Sequence, residues 1–259
     1  MTPDTDLDFT EEEIQRYSRH ILLPELGGSG QAALRRARVL IIGAGGLGSP
    51  LLLYLAAAGV GTIGLVDDDQ VDLSNLQRQI AHTTDRLGQD KTASAATAAR
   101  AINPLINVEQ HRLRLDEATA PDLIPRYDIV CDGSDNFKTR YLVADACVAA
   151  RRTLVSAAVL RFEGQLSVFK PHSHSGGPCY RCLYPEAPPP GFAPSCAEAG
   201  VLGAVTGVMG AMQASETVKE ITGIGESLSG RLLLWDALAT RFRMIRLARD
   251  PACPVCSAA

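Results

Sequence analysis

No apolar run in this 259-residue chain reaches the length of a membrane span. The longest, around Leu51 to Ala58, falls well short of the roughly 20 residues a helix needs to cross a bilayer. The first residues, Met1 to Glu13, are acidic and polar, with no basic start and no apolar stretch. No signal peptide is therefore expected, and a cytoplasmic location is the default expectation. A basic surplus is missing too: 25 Lys and Arg stand against 29 Asp and Glu, a formal net charge of −4. Broad nucleic-acid surfaces need clustered cations, so neither nucleic acid nor membrane is an expected partner. The seven cysteines are odd in number and come without a secretion signal, which favours metal binding or reactivity over a disulfide framework. No internal repeat is visible.

What is present is a globular composition, 46% apolar and 21% charged, in a chain long enough for a substantial core. Residues 1–13 read as a flexible lead-in, and 14–259 as a single domain. From Ile14 to Ala37 the pattern is helical but interrupted at Pro24 and at Gly27-Gly28-Ser29-Gly30. Val39 to Ile42 and Thr62 to Val66 are short apolar runs of the kind that form buried parallel strands, joined by a glycine-rich turn and a helix to about Ala58. An Ala-rich helix over Asp90 to Ile102 ends at Asn103-Pro104, with further strands at Ile106 to Gln110 and Asp128 to Cys131. This part, about 38–155, predicts a Rossmann-like, mostly parallel sheet with helices on both faces. Beyond it, at about 156–259, the character changes. Strands at Thr153 to Val159, Gln165 to Lys170, Arg231 to Asp236 and Arg241 to Leu247, several linked by short turns, predict antiparallel pairing. A Pro-rich loop, Glu186 to Pro194, and a helix from about Ala204 to Thr222 lie between them.

Gly43-x-Gly45-x-x-Gly48 comes directly after a strand and opens a helix, and Asp67 stands at the next strand's end. Glycines let the backbone approach a phosphate, the helix start favours anions, and a carboxylate can accept from ribose hydroxyls. The motif alone does not separate NAD from ATP, and glycines that only pack helix on strand would look the same. The segment beyond Asp67 is polar and cationic: Ser74, Asn75, Arg78 and then Lys91. Hydride transfer gains nothing from an Arg and a Lys beside the phosphates, whereas nucleotidyl transfer needs them to stabilise a leaving pyrophosphate. Asp135, in the loop Asp132-Gly133-Ser134-Asp135-Asn136, suits Mg²⁺.

Cys179-x-x-Cys182 and Cys253-x-x-Cys256 are two metal-ligand pairs, and four thiolates suit a closed, structural zinc site that ties the tail to the body. Redox CxxC motifs and unpaired buried thiols are the alternatives. Cys196, after the Pro-rich loop, reads equally as a thiol nucleophile or as a small apolar residue starting a helix; Cys131 and Cys147 sit in apolar runs and read as core.

Taken together the motifs resemble the MoeB/ThiF family, bacterial relatives of ubiquitin-activating enzymes. The resemblance runs from about Glu12 to Cys256. It rests on Arg16-Tyr-Ser-Arg19-His, Gly43-Ala-Gly-Gly-Leu-Gly48, Ser74-Asn-Leu-Gln-Arg78-Gln, Gly88-Gln-Asp-Lys91, Asp132-Gly-Ser-Asp135-Asn136 and the two CxxC pairs. It implies a nucleotidyltransferase that uses ATP and Mg²⁺ to adenylate the C-terminal glycine of a ubiquitin-like sulfur carrier before a thiocarboxylate is installed. Gly46 would lie under the nucleotide, with Gly43, Gly45, Ser74 and Asn136 around it. Asp67 would hold the ribose, Asn75, Arg78 and Lys91 the phosphates, Asp135 the Mg²⁺, and the four paired cysteines Zn²⁺. Arg19 resembles the family arginine that reaches into the neighbouring subunit's site, which implies a homodimer. Cys196 matches a cysteine that some relatives link to the carrier. The chain ends three residues after Cys256, without the rhodanese domain of some relatives, so a separate sulfur donor, a cysteine desulfurase or rhodanese, is expected. The expected carrier is MoaD-like, in molybdenum cofactor biosynthesis. A ThiS-like carrier in thiamine biosynthesis is the alternative; an NAD-dependent oxidoreductase and a binding module without catalysis are more distant ones.

Overall fold

Alternate residues of the run Val39-Leu40-Ile41-Ile42 belong to two different cores, as the two-residue repeat of a strand requires. In the computed structural model, which describes residues 8–173, 176–189 and 199–257, this run is strand β1 (Arg38–Ile42), at the middle of one eight-stranded sheet. The other strands are β2 (Thr62–Val66), β3 (Asn107–His111), β4 (Ile129–Asp132), β5 (Thr153–Leu160), β6 (Glu163–Phe169), β7 (Arg231–Asp236) and β8 (Arg241–Arg246). Their order is β3-β2-β1-β4-β5-β6-β7-β8. β3 to β5 pair in parallel, and β5 to β8 antiparallel.

Eight α-helices complete the described residues: α1 (Glu11–Ile21), α2 (Gly27–Arg36), α3 (Gly48–Ala58), α4 (Lys91–Ile102), α5 (Ala120–Leu123), α6 (Phe137–Ala149), α7 (Tyr180–Leu183) and α8 (Gly203–Thr222). Val39, Ile41, Ile63 and Leu65 pack with α3, α4 and α8 on one face. Leu40, Ile42 and Val130 pack with α5, α6 and Tyr180 on the other, so helices cover both faces. α3 is apolar nearly all round because it lies under α4 and α8; Leu51, Leu52 and Leu55 are fully inaccessible, each worth about 2 kcal/mol of transfer free energy. Among the described residues no helix is long and apolar enough to cross a membrane.

Three sequence expectations shift. The glycine run Gly27 to Gly30 opens α2 instead of breaking it; the break falls between Leu22 and Leu26. A side chain at Gly30 would press on Leu26, so the glycine serves a close approach within the helix entry. α1 starts at Glu11, inside the expected lead-in, because Thr10 and Glu13 close a reciprocal capping box. The change from parallel to antiparallel pairing falls within β5, whose residues Leu154 to Ser156 bond to β4 on one side and β6 on the other. The two parts of the chain thus share one sheet.

Candidate active site

β1 and β4 are neighbours whose chains run on to opposite sides, and such a switch point opens a crevice at the strands' carboxyl ends. A cavity of about 580 Å³ occupies it. The glycine-rich turn between β1 and α3 forms one wall. Gly43 has φ 90°, a region side chains rarely adopt. A Cβ at Gly48 would lie 1.8 Å from the Gly43 carbonyl oxygen, so α3 can begin this close to β1 only with glycine there. No side chain caps α3; the Ser49 N–H is taken by the Gly45 carbonyl at 2.9 Å and Pro50 has none, so among the described residues the Gly48 N–H is the donor that the helix start leaves for an anion. Gly43, Gly45 and Gly46 all line the cavity.

Asp67 ends β2 beside that turn. Its Oδ2 accepts the Ala44 N–H at 2.8 Å and its Oδ1 the Asp69 N–H at 2.9 Å. Burial raises its pKa, against the opposing pull of Lys91 and the two N–H groups. Each oxygen keeps a lone pair for a further donor such as a ribose hydroxyl. Lys91 is the first residue of α4 and 6% exposed, with Nζ 2.7 Å from Asp69 Oδ2. Arg78 is half-buried and donates to the Ser74 carbonyl at 3.1 Å. Asp135 is exposed; Asn136 caps α6, its Oδ1 accepting the Thr139 N–H at 2.9 Å. Asp67, Arg78, Lys91, Asp135 and Asn136 line the same cavity as the glycines.

Ser74 and Asn75 do not line it. They build the short 3-10 turn Leu73–Asn75. Asp72 Oδ1 accepts from the Ser74 N–H and Oγ–H at 2.8 and 2.6 Å, and Asn75 Oδ1 accepts the Asp72 N–H at 3.3 Å. Ser74 reaches the site through its carbonyl, against which Arg78 rests. Arg19 is exposed on α1 and lies outside the cavity of its own chain. Cys196 and residues 190–198 around it lie outside the described residues.

Cys179, Cys182, Cys253 and Cys256, none of which lines the cavity, converge, with Sγ–Sγ distances of 3.8, 3.6 and 3.5 Å for the pairs 179–182, 179–253 and 182–256. A tetrahedral ion with zinc–sulfur bonds of about 2.3 Å would set its sulfurs about 3.8 Å apart, so the four thiols fit zinc. The Asp250 N–H points at Cys182 Sγ at 3.4 Å. For Cys253 burial opposes ionisation, but hydrogen bonds from the backbone of Cys256 and Val255 outweigh it and bring the thiol to about 7. Cys131 and Cys147 are core, as expected, and burial pushes the Cys131 thiol up to about 12.

The ThiF family matches this chain over residues 17–255. The chain belongs to the ThiF family. It is 55% identical over 246 residues to the probable adenylyltransferase/sulfurtransferase MoeZ of Mycobacterium tuberculosis, covering 95% of this chain and 63% of that protein. It is 56% identical over 248 residues to the adenylyltransferase and sulfurtransferase MOCS3 of Bos taurus, spanning 54% of it. It is 49% identical over 250 residues to the sulfur carrier protein adenylyltransferase of Thermus thermophilus, spanning 92% of it. The chain thus spans less than two thirds of MoeZ and MOCS3. Among solved structures, E. coli MccB with MccA-N7isoASN superposes with a TM-score of 0.82 at 25% identity, over 93% of this chain and 74% of that one.

Three residues not singled out from the sequence stand in this ThiF-family cavity. Gln79 is 4% exposed, and among the described residues its Oε1 has no partner; its place beside Arg78 was the available signal. Arg140, buried, donates to the Ser134 and Ala157 carbonyls and so fixes the loop that carries Asp135; on a helix that also carries Lys138 and Asp145, nothing in the sequence set it apart. Thr206, on α8, faces Gly46, where a Cβ would meet it at 3.1 Å. No local pattern announces that contact.

Proposed function

We propose that this chain is a nucleotidyltransferase that adenylates the C-terminal glycine of a ubiquitin-like sulfur carrier at the β1–β4 crevice. One observation carries the reading: a single cavity sets a glycine-rich turn and Asp67 beside Arg78, Lys91 and Asp135. That is a site for a nucleoside with a polyphosphate whose charge must be neutralised as it leaves. Relatives named as adenylyltransferases, and a 25% identical MccB structure with AMPCPP and MccA, support it.

In this reading Asp67 accepts from the ribose hydroxyls and the turn cradles the phosphates. The carrier's carboxylate attacks the α-phosphorus; the bond to the bridging oxygen breaks, its electrons leave with pyrophosphate, and an acyl-adenylate remains. Arg78 and Lys91 stabilise the charge gathering on pyrophosphate. Asp135 would hold Mg²⁺ together with phosphate oxygens, where the ion neutralises charge. The four paired cysteines would hold Zn²⁺ in a structural role. Arg19 acts from the second subunit of a homodimer. Sulfur comes from a separate donor, and Cys196 serves that later step, not adenylation. The carrier is MoaD-like, of molybdenum cofactor biosynthesis, in the cytoplasm; a ThiS-like carrier would undergo the same chemistry.

ATP–pyrophosphate exchange with purified carriers tests this. Exchange that depends on a MoaD-like carrier is expected, and Arg78→Ala should lower it about 10²–10³-fold. Exchange supported only by a ThiS-like carrier would move the assignment to that pathway, and exchange with neither would refute it.

A further inference from the structure

The Ala44 residue of the glycine-rich turn is held from both sides. Its N–H donates to Asp67 Oδ2 at 2.8 Å, and its carbonyl oxygen is 2.9 Å from His82 Nε2. A carbonyl only accepts, so Nε2 carries the proton and donates. Nδ1 is then an acceptor, and it takes the hydroxyl hydrogen of Ser94, whose Oγ is 2.9 Å away. His82 is 5% exposed and Ser94 fully buried. Burial, with lesser help from Lys91 and Arg86, lowers the imidazole's pKa against the opposing Ala44 bond, which keeps this neutral tautomer in place.

The consequence lies on the far side of the peptide. The Ala44–Gly45 bond is trans, so its C=O and the following N–H point in opposite directions. With the carbonyl turned to His82, the Gly45 N–H is turned away from it. Gly45 lines the cavity, and among the described residues no acceptor receives that N–H. Ser94 stands one turn along α4 from Lys91, so the helix that presents the cation also sets, through His82, the direction of a backbone donor.

We propose that His82, with its tautomer set by Ser94, is a positioning residue that fixes the Ala44–Gly45 peptide so that the Gly45 N–H binds a phosphate oxygen of the nucleotide. The inference rests on the reading that the cavity takes ATP. Nothing in it depends on which carrier is used.

The test compares ATP with adenosine by direct titration of the wild-type chain and of His82→Leu, His82→Gln and Ser94→Ala, with thermal melting alongside. A hydrogen bond to a charged acceptor is worth about ten- to a hundredfold in affinity. His82→Leu should weaken ATP binding by about that factor and leave adenosine affinity unchanged, since adenosine has no phosphate. His82→Gln, which keeps an N–H donor at a similar reach, should recover most of the loss. Should His82→Leu fail to fold, Ser94→Ala, a minimal change of volume, should still weaken ATP selectively, by about threefold or more. ATP affinity unchanged in a folded variant, or ATP and adenosine weakened equally, would overturn the proposal. A wild-type chain that binds ATP but exchanges pyrophosphate with no carrier would sink the proposed reaction alone, and the ATP–adenosine comparison would still decide the role of His82.

Discussion

Lys91 Nζ and Asp69 Oδ2 lie 2.7 Å apart on the cavity wall, with the lysine side chain 8% exposed and the aspartate 66%. The lysine sits at the first position of α4, where the helix end is already positive, so Asp69 offsets an unfavourable placement. The carboxylate is open to water and screened, so the pair itself contributes about 1 kcal/mol even though the lysine is buried. Lys91→Ala is therefore expected to lower pyrophosphate exchange about 10²–10³-fold through loss of charge at the phosphates. Asp69→Asn should change it by less than about tenfold. Exchange kinetics on the two variants check this; equal losses would show that the pair, not the cation, is what matters.

Arg19 projects from α1, a helix pinned where Tyr17 Oη accepts from Asn103 Nδ2 at 2.9 Å and where Arg16 donates to the Ile102 carbonyl at 2.9 Å. A well-anchored helix presenting an exposed arginine outside its own cavity suits action across a dimer. Arg19→Ala and Asp135→Ala should each be inactive alone. Mixed and allowed to exchange subunits, they should regain activity, because one site of the heterodimer then has both groups. No recovery despite proven exchange would place Arg19 elsewhere.

The cysteine cluster predicts one zinc per chain, by elemental analysis of protein purified without chelators. Cys256→Ser should lower the melting temperature, since the ion would join the segment after β8 to the region of α7. It should lower ATP affinity far less than Arg78→Ala does, because none of the four cysteines lines the cavity, although Tyr180, between Cys179 and Cys182, does. Metal-free protein with undiminished stability would count against zinc.

His82, His111 and His172 all have pKa values lowered, in each case first by burial. They stay neutral in the fold where the unfolded chain, near 6.5, takes up protons. Stability is thus full above about pH 6.5 and falls as pH drops below it, by up to about 1.4 kcal/mol per pH unit for each histidine, until the folded-state values are reached. Urea midpoints at pH 7.5 and 5.5 measure the slope. His172→Gln should reduce it, as the buried Nδ1 of His172 has no partner among the described residues to lose.

Local chemistry is legible in the residues themselves. A turn that needs φ above zero and a helix start within reach of a carbonyl must use glycine, so Gly43 and Gly48 could be read directly. Strand period and apolar runs placed β1, β2 and β7. Paired cysteines announced a ligand set before anything showed them in one place. The rest was settled by packing: that Thr206 of α8 walls the turn at Gly46, that His82 reaches back to Ala44, that Ser74 and Asn75 support Arg78 without lining the cavity, and that one strand, β5, joins the parallel and antiparallel halves. Most of these are contacts between segments far apart in the chain. Each depends on how side-chain volumes and hydrogen-bond partners meet once the helices are packed, and no local periodicity encodes that.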